Sequence, residues 1–243
     1  MAYGARLIQR DLDFSVARGA RFVIMGESGC GKSTLLKHMI GLVEPAAGRV
    51  LIGAEDLWAV DGDRRRALSR GFGVLYQSGA LWTSMTVADN VALPLRQYTD
   101  FEPERIDEMV RLKLALVGLS DAAERYPSEL SGGMRKRAGL ARAMALDPAI
   151  LFLDEPSAGL DPISSRLLDE LIVEIGESLG TTFVIVSHEL ASIFDIATDS
   201  VYLDAATRTQ LDVGPPQRLV EHSPHPEVRR FLTRGAVSLE KSA

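Results

Sequence analysis

The amino-acid sequence predicts an α/β fold in which helices pack on a parallel β-sheet. A glycine-rich loop at 26–34 stands between an apolar run typical of a buried strand and a run typical of a helix. Two further apolar runs, at 150–154 and 182–187, flank a helical pattern at 163–179, and this βαβ order favours a parallel sheet. Between about 81 and 146 strand signals vanish and helical spacing dominates, which indicates a helical insertion within the α/β domain.

Composition restricts the class of protein. The chain has 243 residues, 46% of them hydrophobic, which suits one large or two small domains with a substantial core. Its net charge of −6 argues against a nucleic-acid-binding protein, which needs a basic face. No run of about 20 apolar residues occurs, so we expect no membrane-spanning helix, and the N-terminus does not resemble a signal peptide. Cys30 is the only cysteine, which excludes an internal disulfide and favours a reducing cytoplasm.

The elements before the insertion follow from short signals in the sequence. Residues 7–17 alternate roughly between apolar and polar side chains, which predicts a half-buried strand. Gly41 is expected to end the helix that follows the glycine-rich loop. Short strands are predicted at 50–52 and 72–76. The polar run 63–70 is predicted to form a helix whose charges face solvent.

The later elements are predicted in the same way. Residues 201–203 and the stretch to Val213 look like edge strands, and a short helix is expected around 227–233. Within the insertion, several apolar residues have a spacing that can line one or two helix faces. They are Ile106, Met109, Val110, Leu112, Leu114, Leu116 and Val117.

The loop at 26–34 fits the pattern G-x-x-x-x-G-K-[ST] without a mismatch. Its glycines let backbone N–H groups approach a dense anion, and the following helix points its positive end at the same place. Lys32 can then bridge the β- and γ-phosphates of a nucleotide, while the Ser33 hydroxyl can ligate Mg²⁺. The helix N-terminus is also expected to lower the pKa of Cys30. The predicted phosphate-binding residues are Gly26, Glu27, Ser28, Gly29, Cys30, Gly31, Lys32, Ser33 and Thr34.

Two acidic residues follow the apolar run at 150–153. A buried parallel strand here brings Asp154 to the sheet edge near the phosphate loop. Asp154 suits a magnesium site, and Glu155 is placed to orient or deprotonate a water molecule. The simpler interpretation is a strand that ends in an acidic turn, and the phosphate loop in the same chain argues against it.

A second candidate anion site lies in the helical insertion. Ser131 is placed to cap a helix, and Gly132 and Gly133 leave the N-terminus of that helix bare. The simpler interpretation is an ordinary capped helix with a basic first turn.

The run Leu-Ser-Gly-Gly at 130–133 resembles the signature of the nucleotide-binding subunits of ABC transporters. The resemblance extends to Gln77, to Asp154-Glu155-Pro156, to the D-loop at 157–161 and to Ser187-His188-Glu189, in the order of that family. It implies a P-loop NTPase (RecA-like) core with an ABC-type helical subdomain and an N-terminal antiparallel β portion. It also implies one ABC ATPase domain over 1–243. The expected division is a core at 1–80 and 147–222, a helical subdomain at 81–146 and a C-terminal extension at 223–243.

The resemblance also implies roles for individual residues, with ATP and Mg²⁺ as cofactors. Glu155, His188, Gln77 and Lys32 are the expected catalytic residues, and Ser33, Gln77 and Asp154 are the expected metal ligands. His188 looks like the sensor of the γ-phosphate. Gln77 looks like the residue that contacts Mg²⁺ and connects the nucleotide site to a membrane partner. Asp161 resembles the residue that couples two sites across a dimer, in which Ser131, Gly132 and Gly133 close the phosphate loop of the other subunit. Tyr3 has the spacing of the adenine-stacking aromatic, although no strand signal precedes it.

Met134 replaces the glutamine that usually follows the signature. Together with the stretch 76–96, it resembles the Mla/Mkl-type ATPases, which power phospholipid trafficking by MCE-protein systems. The implied partners are a second copy of the chain, an MlaE-like permease, an MlaD-like MCE protein and an MlaB-like STAS-domain regulator, at the cytoplasmic face of the inner membrane. Trp82 is a candidate permease contact, or else, like Leu93, part of the helical core.

Two alternatives stay open at this point. One is an ABC ATPase for another substrate, such as an amino acid or a lipoprotein. The other is a non-transport ABC ATPase acting in translation or DNA repair. The second predicts tandem cassettes or a long coiled-coil insert, whereas this chain has one cassette and a net charge of −6. Neither the cargo nor the direction of transport follows from residues of this chain.

Overall fold

A computed structural model describes the backbone of residues 1–3 and 6–240, and the side chains of residues 1–2 and 7–233. Within this part the strands are β1 (Ala2–Tyr3), β2 (Arg6–Leu7), β3 (Arg21–Gly26), β4 (Leu51–Ile52), β5 (Glu55–Asp56), β6 (Phe72–Leu75), β7 (Ile150–Asp154), β8 (Thr182–Val186), β9 (Asp199–Leu203) and β10 (Gln210–Val213). The helices are α1 (Lys32–Met39), α2 (Gly62–Arg70), α3 (Val87–Tyr98), α4 (Pro103–Leu116), α5 (Gly132–Ala143), α6 (Pro162–Leu179), α7 (Leu190–Ile196), α8 (Pro216–His222) and α9 (Pro226–Glu240). Short 3-10 helices lie at Ser120–Ala122 and Pro127–Glu129.

The central sheet has the strand order β10-β9-β3-β8-β7-β6. Every pairing is parallel except that of β9 with β10. The predicted α/β class and parallel core are therefore confirmed. The expectation that 201–203 forms an edge strand is wrong, because β9 pairs with β3 on one side and β10 on the other.

Two hydrophobic clusters cover the two faces of this sheet, and β3 shows how the sequence divides between them. Phe22 and Ile24 belong to one cluster, whereas Val23 and Met25 belong to the other. All four side chains are fully buried. Successive residues of a strand point to opposite faces, so an uninterrupted apolar run is what a strand covered on both faces requires.

The antiparallel portion consists of two small hairpins, β1 with β2 and β4 with β5. The strand predicted at 7–17 is wrong, since only Leu7 in that range is in a strand. Leu12, Phe14 and Val16 nevertheless pack against the core, and Phe14 stacks on Phe22 with ring centroids 5.4 Å apart. The alternating pattern thus reports packing of a segment that, within the described part of the chain, forms no strand pairing beyond Leu7.

Helices α3, α4 and α5 pack on one another around a hydrophobic cluster of their own, as predicted for the insertion. Ile106, Val110, Leu114 and Val117 are buried in it, whereas Leu112 and Leu116 are exposed. Leu93, expected in this core, is only partly buried. A helix can bury only one face against its neighbours, so the apolar residues predicted on α4 divide between core and surface. The division at 81 and 146 stays a prediction.

The C-terminal part of the chain returns to the main core. The helix predicted at 227–233 runs longer, as α9, and Val228, Phe231 and Leu232 are buried against the sheet cluster. Helices α7 and α8 were not predicted. Among the described residues, no helix combines the length and the apolar character needed to cross a membrane.

Candidate functional site

The glycine-rich loop joins the end of β3 to the start of α1, and Lys32 folds back across it. The Lys32 ammonium donates to the carbonyl oxygens of Gly26 and Glu27, at 2.9 and 3.1 Å. Gly31 has a φ of +107°, and a Cβ there would come within 2.7 Å of the Ile8 side chain. A side chain at this position would therefore strain the backbone and clash. The loop thus holds a buried cation within the turn that the motif predicts.

Cys30 is almost fully buried within this loop. Burial raises the pKa of its thiol, and the nearby charge of Lys32 opposes this rise only in part. The expectation of a lowered pKa is therefore wrong, because loss of hydration of the thiolate outweighs the cationic environment. The buried Gln9 side chain donates to the carbonyl oxygens of Cys30 and Asp204, at 2.6 and 2.9 Å. Sequence analysis missed Gln9, since no motif contains it.

Ser33 and Asp154 meet at the carboxyl ends of the parallel strands. The Ser33 hydroxyl donates to a carboxylate oxygen of Asp154 at 2.8 Å. Gln77 follows β6, which pairs with β7, and its side chain is exposed. Hydroxyl, carboxylate and amide oxygens are the ligands that Mg²⁺ prefers, so these residues fit that ion. Among the described residues no cluster of three or more His, Cys, Asp or Glu side chains is placed to hold a metal.

Glu155 lies directly after Asp154, and hydrogen bonds hold it on three sides. Its carboxylate lies 2.8 Å from Nδ1 of His188, and its N–H donates to the carbonyl of Val186 at 2.9 Å. Its carbonyl accepts from the Lys136 ammonium at 3.0 Å. The second carboxylate oxygen, Oε2, is buried and has no hydrogen-bond partner among the described residues. Glu155 and His188, predicted separately as site residues, are therefore in direct contact, whereas Lys136 is a neighbour that the sequence did not reveal.

The signature forms the N-terminus of α5. The Ser131 hydroxyl accepts from the Met134 N–H at 3.2 Å, which is the predicted cap. A Cβ on Gly133 would lie 3.0 Å from Ser164, so a glycine lets α5 approach α6 closely here. Ser131 itself is exposed.

Asp161 caps α6 and accepts from the backbone N–H groups of Ile163 and Ser164, at 3.1 and 3.0 Å. Hydrogen bonds from Ser164 lower the pKa of Asp161. Behind the D-loop, Ser192 contacts Ser157 at 3.2 Å and donates to buried Asp169 at 2.6 Å. Burial raises the pKa of Asp169 to about 6.

One predicted site residue cannot be placed. The backbone of Tyr3 lies in β1, but its side chain falls outside the described residues.

A phosphate-binding loop at the end of a parallel strand, beside Asp154 and Glu155, defines a P-loop nucleotide-binding protein. Residues 9–158 match the family model for ABC transporters. The chain is 42% identical over 229 residues to the intermembrane phospholipid transport system ATP-binding protein MlaF of Escherichia coli, covering 94% of this chain and 84% of MlaF. It is 39% identical to the probable ribonucleotide transport ATP-binding protein Mkl of Mycobacterium tuberculosis, covering 95% of this chain but only 64% of Mkl.

Comparison with solved structures leads to the same family. A dimeric post-hydrolysis state of the ATP-binding cassette MJ0796, bound to ADP and Pi, superposes with a TM-score of 0.75 at 26% identity, covering 85% of this chain and 89% of that one. The chain therefore belongs to the ABC transporter family as an ATP-binding subunit. Its activity is ATP hydrolysis, and the predicted family and fold are confirmed.

Proposed function

We propose that this ATPase subunit powers the movement of phospholipid between membranes, together with an MCE-type partner system. The observation that carries this proposal is the 42% identity to MlaF, a phospholipid transport protein, over nearly the whole chain. Transport of another substrate is the second candidate, because the Mkl relative carries the name of a ribonucleotide transporter at 39% identity.

For the chemical step, we propose that Lys32 leaves its loop carbonyls to bind the β- and γ-phosphates of ATP. Glu155 orients and deprotonates the attacking water, and His188, which contacts Glu155 at 2.8 Å, senses the γ-phosphate. Ser33, Asp154 and Gln77 hold Mg²⁺, which neutralises phosphate charge when it is bound. The rest of the loop at 26–34 binds phosphate through its backbone N–H groups.

We further propose a homodimer as the competent enzyme. The signature, with Ser131, Gly132 and Gly133, lies at the N-terminus of α5 and far from the phosphate loop in sequence. The hydrogen bond of the Ser131 side chain, and that of the nearby Arg135 side chain, both stay within this end of the helix. A bare helix N-terminus suits the phosphates of a nucleotide held by a second subunit. The solved MJ0796 cassette is a dimer, which supports the same arrangement. Asp161 then links the two sites, and Tyr3 stacks on adenine.

The other proposed partners are an MlaE-like permease, an MlaD-like MCE protein and an MlaB-like STAS-domain protein, with the subunit peripheral at the cytoplasmic face of the inner membrane. No nucleic acid is proposed as a ligand, given the net charge of −6.

A transfer assay tests the proposed cargo. The chain is copurified with its membrane subunits, reconstituted in vesicles, and assayed for ATP-dependent transfer of a fluorescent phospholipid to acceptor vesicles. We expect transfer with the natural chain and none with Lys32→Ala. ATP hydrolysis without any phospholipid transfer would overturn the cargo proposal.

The Lys32→Ala variant also tests the site. The variant removes the one cationic side chain of the loop at 26–34, so we expect hydrolysis to fall on the order of 10³-fold. A variant that keeps more than about a tenth of the natural rate would contradict the role of Lys32, since one tenfold step is only about 1.4 kcal/mol of barrier.

A further inference from the structure

We propose that Lys136 is a positioning residue for ATP hydrolysis, which ties the signature helix α5 to the peptide group of Glu155 in the same subunit. Through this tie, a nucleotide that binds at the N-terminus of α5 acts on the placement of the chain's own Glu155. The inference rests on the proposed roles of Glu155 and of the signature, and extends them to a residue outside both.

The contact itself is direct and buried. Lys136 lies five residues beyond the N-cap residue Ser131, and its side chain is 6% exposed. Its ammonium donates to the Glu155 carbonyl oxygen at 3.0 Å. Because both ends of this bond are buried, water cannot replace it without opening the site.

Glu155 has a specific need for such a restraint. Its φ is +50°, in the left-handed region, which a residue with a side chain adopts only under strain. Val186 holds the N–H of Glu155, and Lys136 holds the carbonyl. Fixing the two peptide groups that flank the Cα of Glu155 fixes the direction in which its side chain leaves the backbone.

Stability alone does not account for a lysine at this place. Burial lowers the pKa of Lys136, while the charges of Asp154, Glu155 and Glu189 oppose that shift. Removing an ammonium from water is expensive, and an apolar residue of similar length would avoid that expense. A buried cation that bonds the backbone of Glu155 directly is therefore better explained by the reaction than by folding.

The coupling follows from the geometry of α5. Backbone hydrogen bonds make the first turns of a helix move together. A displacement of the N-terminus of α5 by bound nucleotide is therefore transmitted to Lys136. The lysine then moves the Glu155 peptide, whose carboxylate also contacts His188 at 2.8 Å. A displacement of about 1 Å at a catalytic group can change a rate about 10²-fold, so even a small movement of this helix matters.

The test compares Lys136→Met, Lys136→Arg and Lys113→Met in the full chain, copurified with its membrane subunits. Methionine preserves length but cannot donate, whereas arginine keeps the charge and the donor. Lys113 is the matched control, because it is also a buried lysine on a helix and pairs with Asp147 instead of Glu155. Steady-state kcat and KM for ATP, together with the melting temperature, are measured for each variant.

We expect Lys136→Met to lower kcat about 10- to 100-fold while KM changes less than about threefold, and Lys136→Arg to restore most of kcat. Lys113→Met should lower the melting temperature and leave kcat close to that of the natural chain. If Lys136→Met does not fold, we expect the same loss of kcat for Lys136→Gln. The glutamine side chain is polar but too short to reach the Glu155 carbonyl oxygen as the lysine does.

Two results would overturn the inference. One is a kcat for Lys136→Met, or for Lys136→Gln in its place, within about twofold of the natural value. The other is a loss of kcat in Lys113→Met as large as that in Lys136→Met. Glu155→Gln is assayed in parallel: if it hydrolyses ATP normally, the role proposed for Glu155 fails. If it is inactive while Lys136→Met is active, only the positioning role fails.

Discussion

Single buried polar residues join segments of the chain that are distant in sequence. Gln9, Lys136 and Asp169 are all buried, and each bonds to a backbone or side-chain group that packs near a site residue. Breaking a buried hydrogen bond is unfavourable, because the freed group cannot form a replacement bond with water. For Lys136 and Asp169, burial also shifts the pKa of the side chain.

Cys30, in the phosphate loop, shows the effect of burial on a thiol. Only the thiolate reacts with alkylating reagents, and burial both raises the pKa of the thiol and blocks access. We expect N-ethylmaleimide to label the folded chain at least about tenfold more slowly than the chain in guanidinium, and ATP to slow it further. Since Cys30 is the only cysteine, the Cys30→Ser chain is a complete blank and should hydrolyse ATP nearly normally. Equal labelling of the folded chain with and without ATP would count against this placement.

Asp169 predicts a dependence of stability on pH. Its pKa is raised from 3.8 to about 6, chiefly by burial and further by the charges of Asp195 and Glu189. The folded chain thus binds the proton more tightly than the unfolded chain, and the free energy of unfolding falls as pH rises from about 4 to 6. Above pH 6 the buried charge destabilises the fold by up to about 3 kcal/mol, at about 1.4 kcal/mol per pKa unit.

We therefore expect Asp169→Asn to be more stable than the natural chain above pH 6, with the difference shrinking toward pH 4. Urea unfolding at pH 5 and pH 7.5 measures this difference. Glu170→Gln, an exposed change on the same helix, is the control and should show little effect at either pH. A stability difference for Asp169→Asn that is the same at both pH values would refute the shift.

The residues that the sequence predicted and those that it missed differ in kind. Lys32, Ser33 and Asp154 belong to motifs whose spacing is fixed by phosphate and metal chemistry, so the pattern alone placed them together. Gln9 and Lys136 gain their contacts from folding of segments distant in sequence, which no local pattern encodes. The direction of the Cys30 pKa shift was wrong for the same reason, since burial is a property of the packed loop.

At the scale of elements, the long apolar runs were predicted best. Strands β3, β7 and β8 are buried on both faces, and such runs have few other interpretations. The segment 7–17 has the alternation of a strand, but beyond Leu7 its described residues form no strand pairing, and its Asp13 contacts β10 through the side chain of Gln210. Alternation cannot report whether a pairing partner exists. The position of β9 inside the sheet depends on the crossover from β8 to β9, which the sequence does not display.

Trp82 is the candidate permease contact on the surface of the helical region. Its side chain is 59% exposed, while Asn90 holds its backbone through bonds of 2.8 and 3.0 Å. We expect Trp82→Ala to keep the melting temperature nearly unchanged, since a surface truncation costs about 0.5 kcal/mol or less, and to lose copurification of the permease.

Leu95→Ala is the control for this measurement, because Leu95 is buried in α3 and its truncation should cost about 2–5 kcal/mol. A sharp drop in the melting temperature of Trp82→Ala, comparable with that of Leu95→Ala, would mean that Trp82 is part of the core. Normal copurification with an unchanged melting temperature would place the permease contact elsewhere.

At the scale of the whole molecule, the chain carries two helix N-termini that we propose bind phosphate. Helix α1 carries the phosphate loop, and α5 carries the signature with Ser131 exposed at its N-terminus. We propose that ATP joins the loop of one subunit to the signature of the other, so nucleotide binding and dimer formation are linked. Blocking hydrolysis should then hold the dimer together.

The most direct test is size-exclusion chromatography of Glu155→Gln at high protein concentration with millimolar ATP and Mg²⁺. The glutamine keeps the size and hydrogen bonding of Glu155 but cannot act as a base, so ATP should bind and persist. The account predicts that this variant elutes as a dimer with ATP, and as a monomer when Ser131→Arg is added. A Glu155→Gln chain that stays monomeric and still hydrolyses ATP, or a double variant that dimerises equally well, would contradict it.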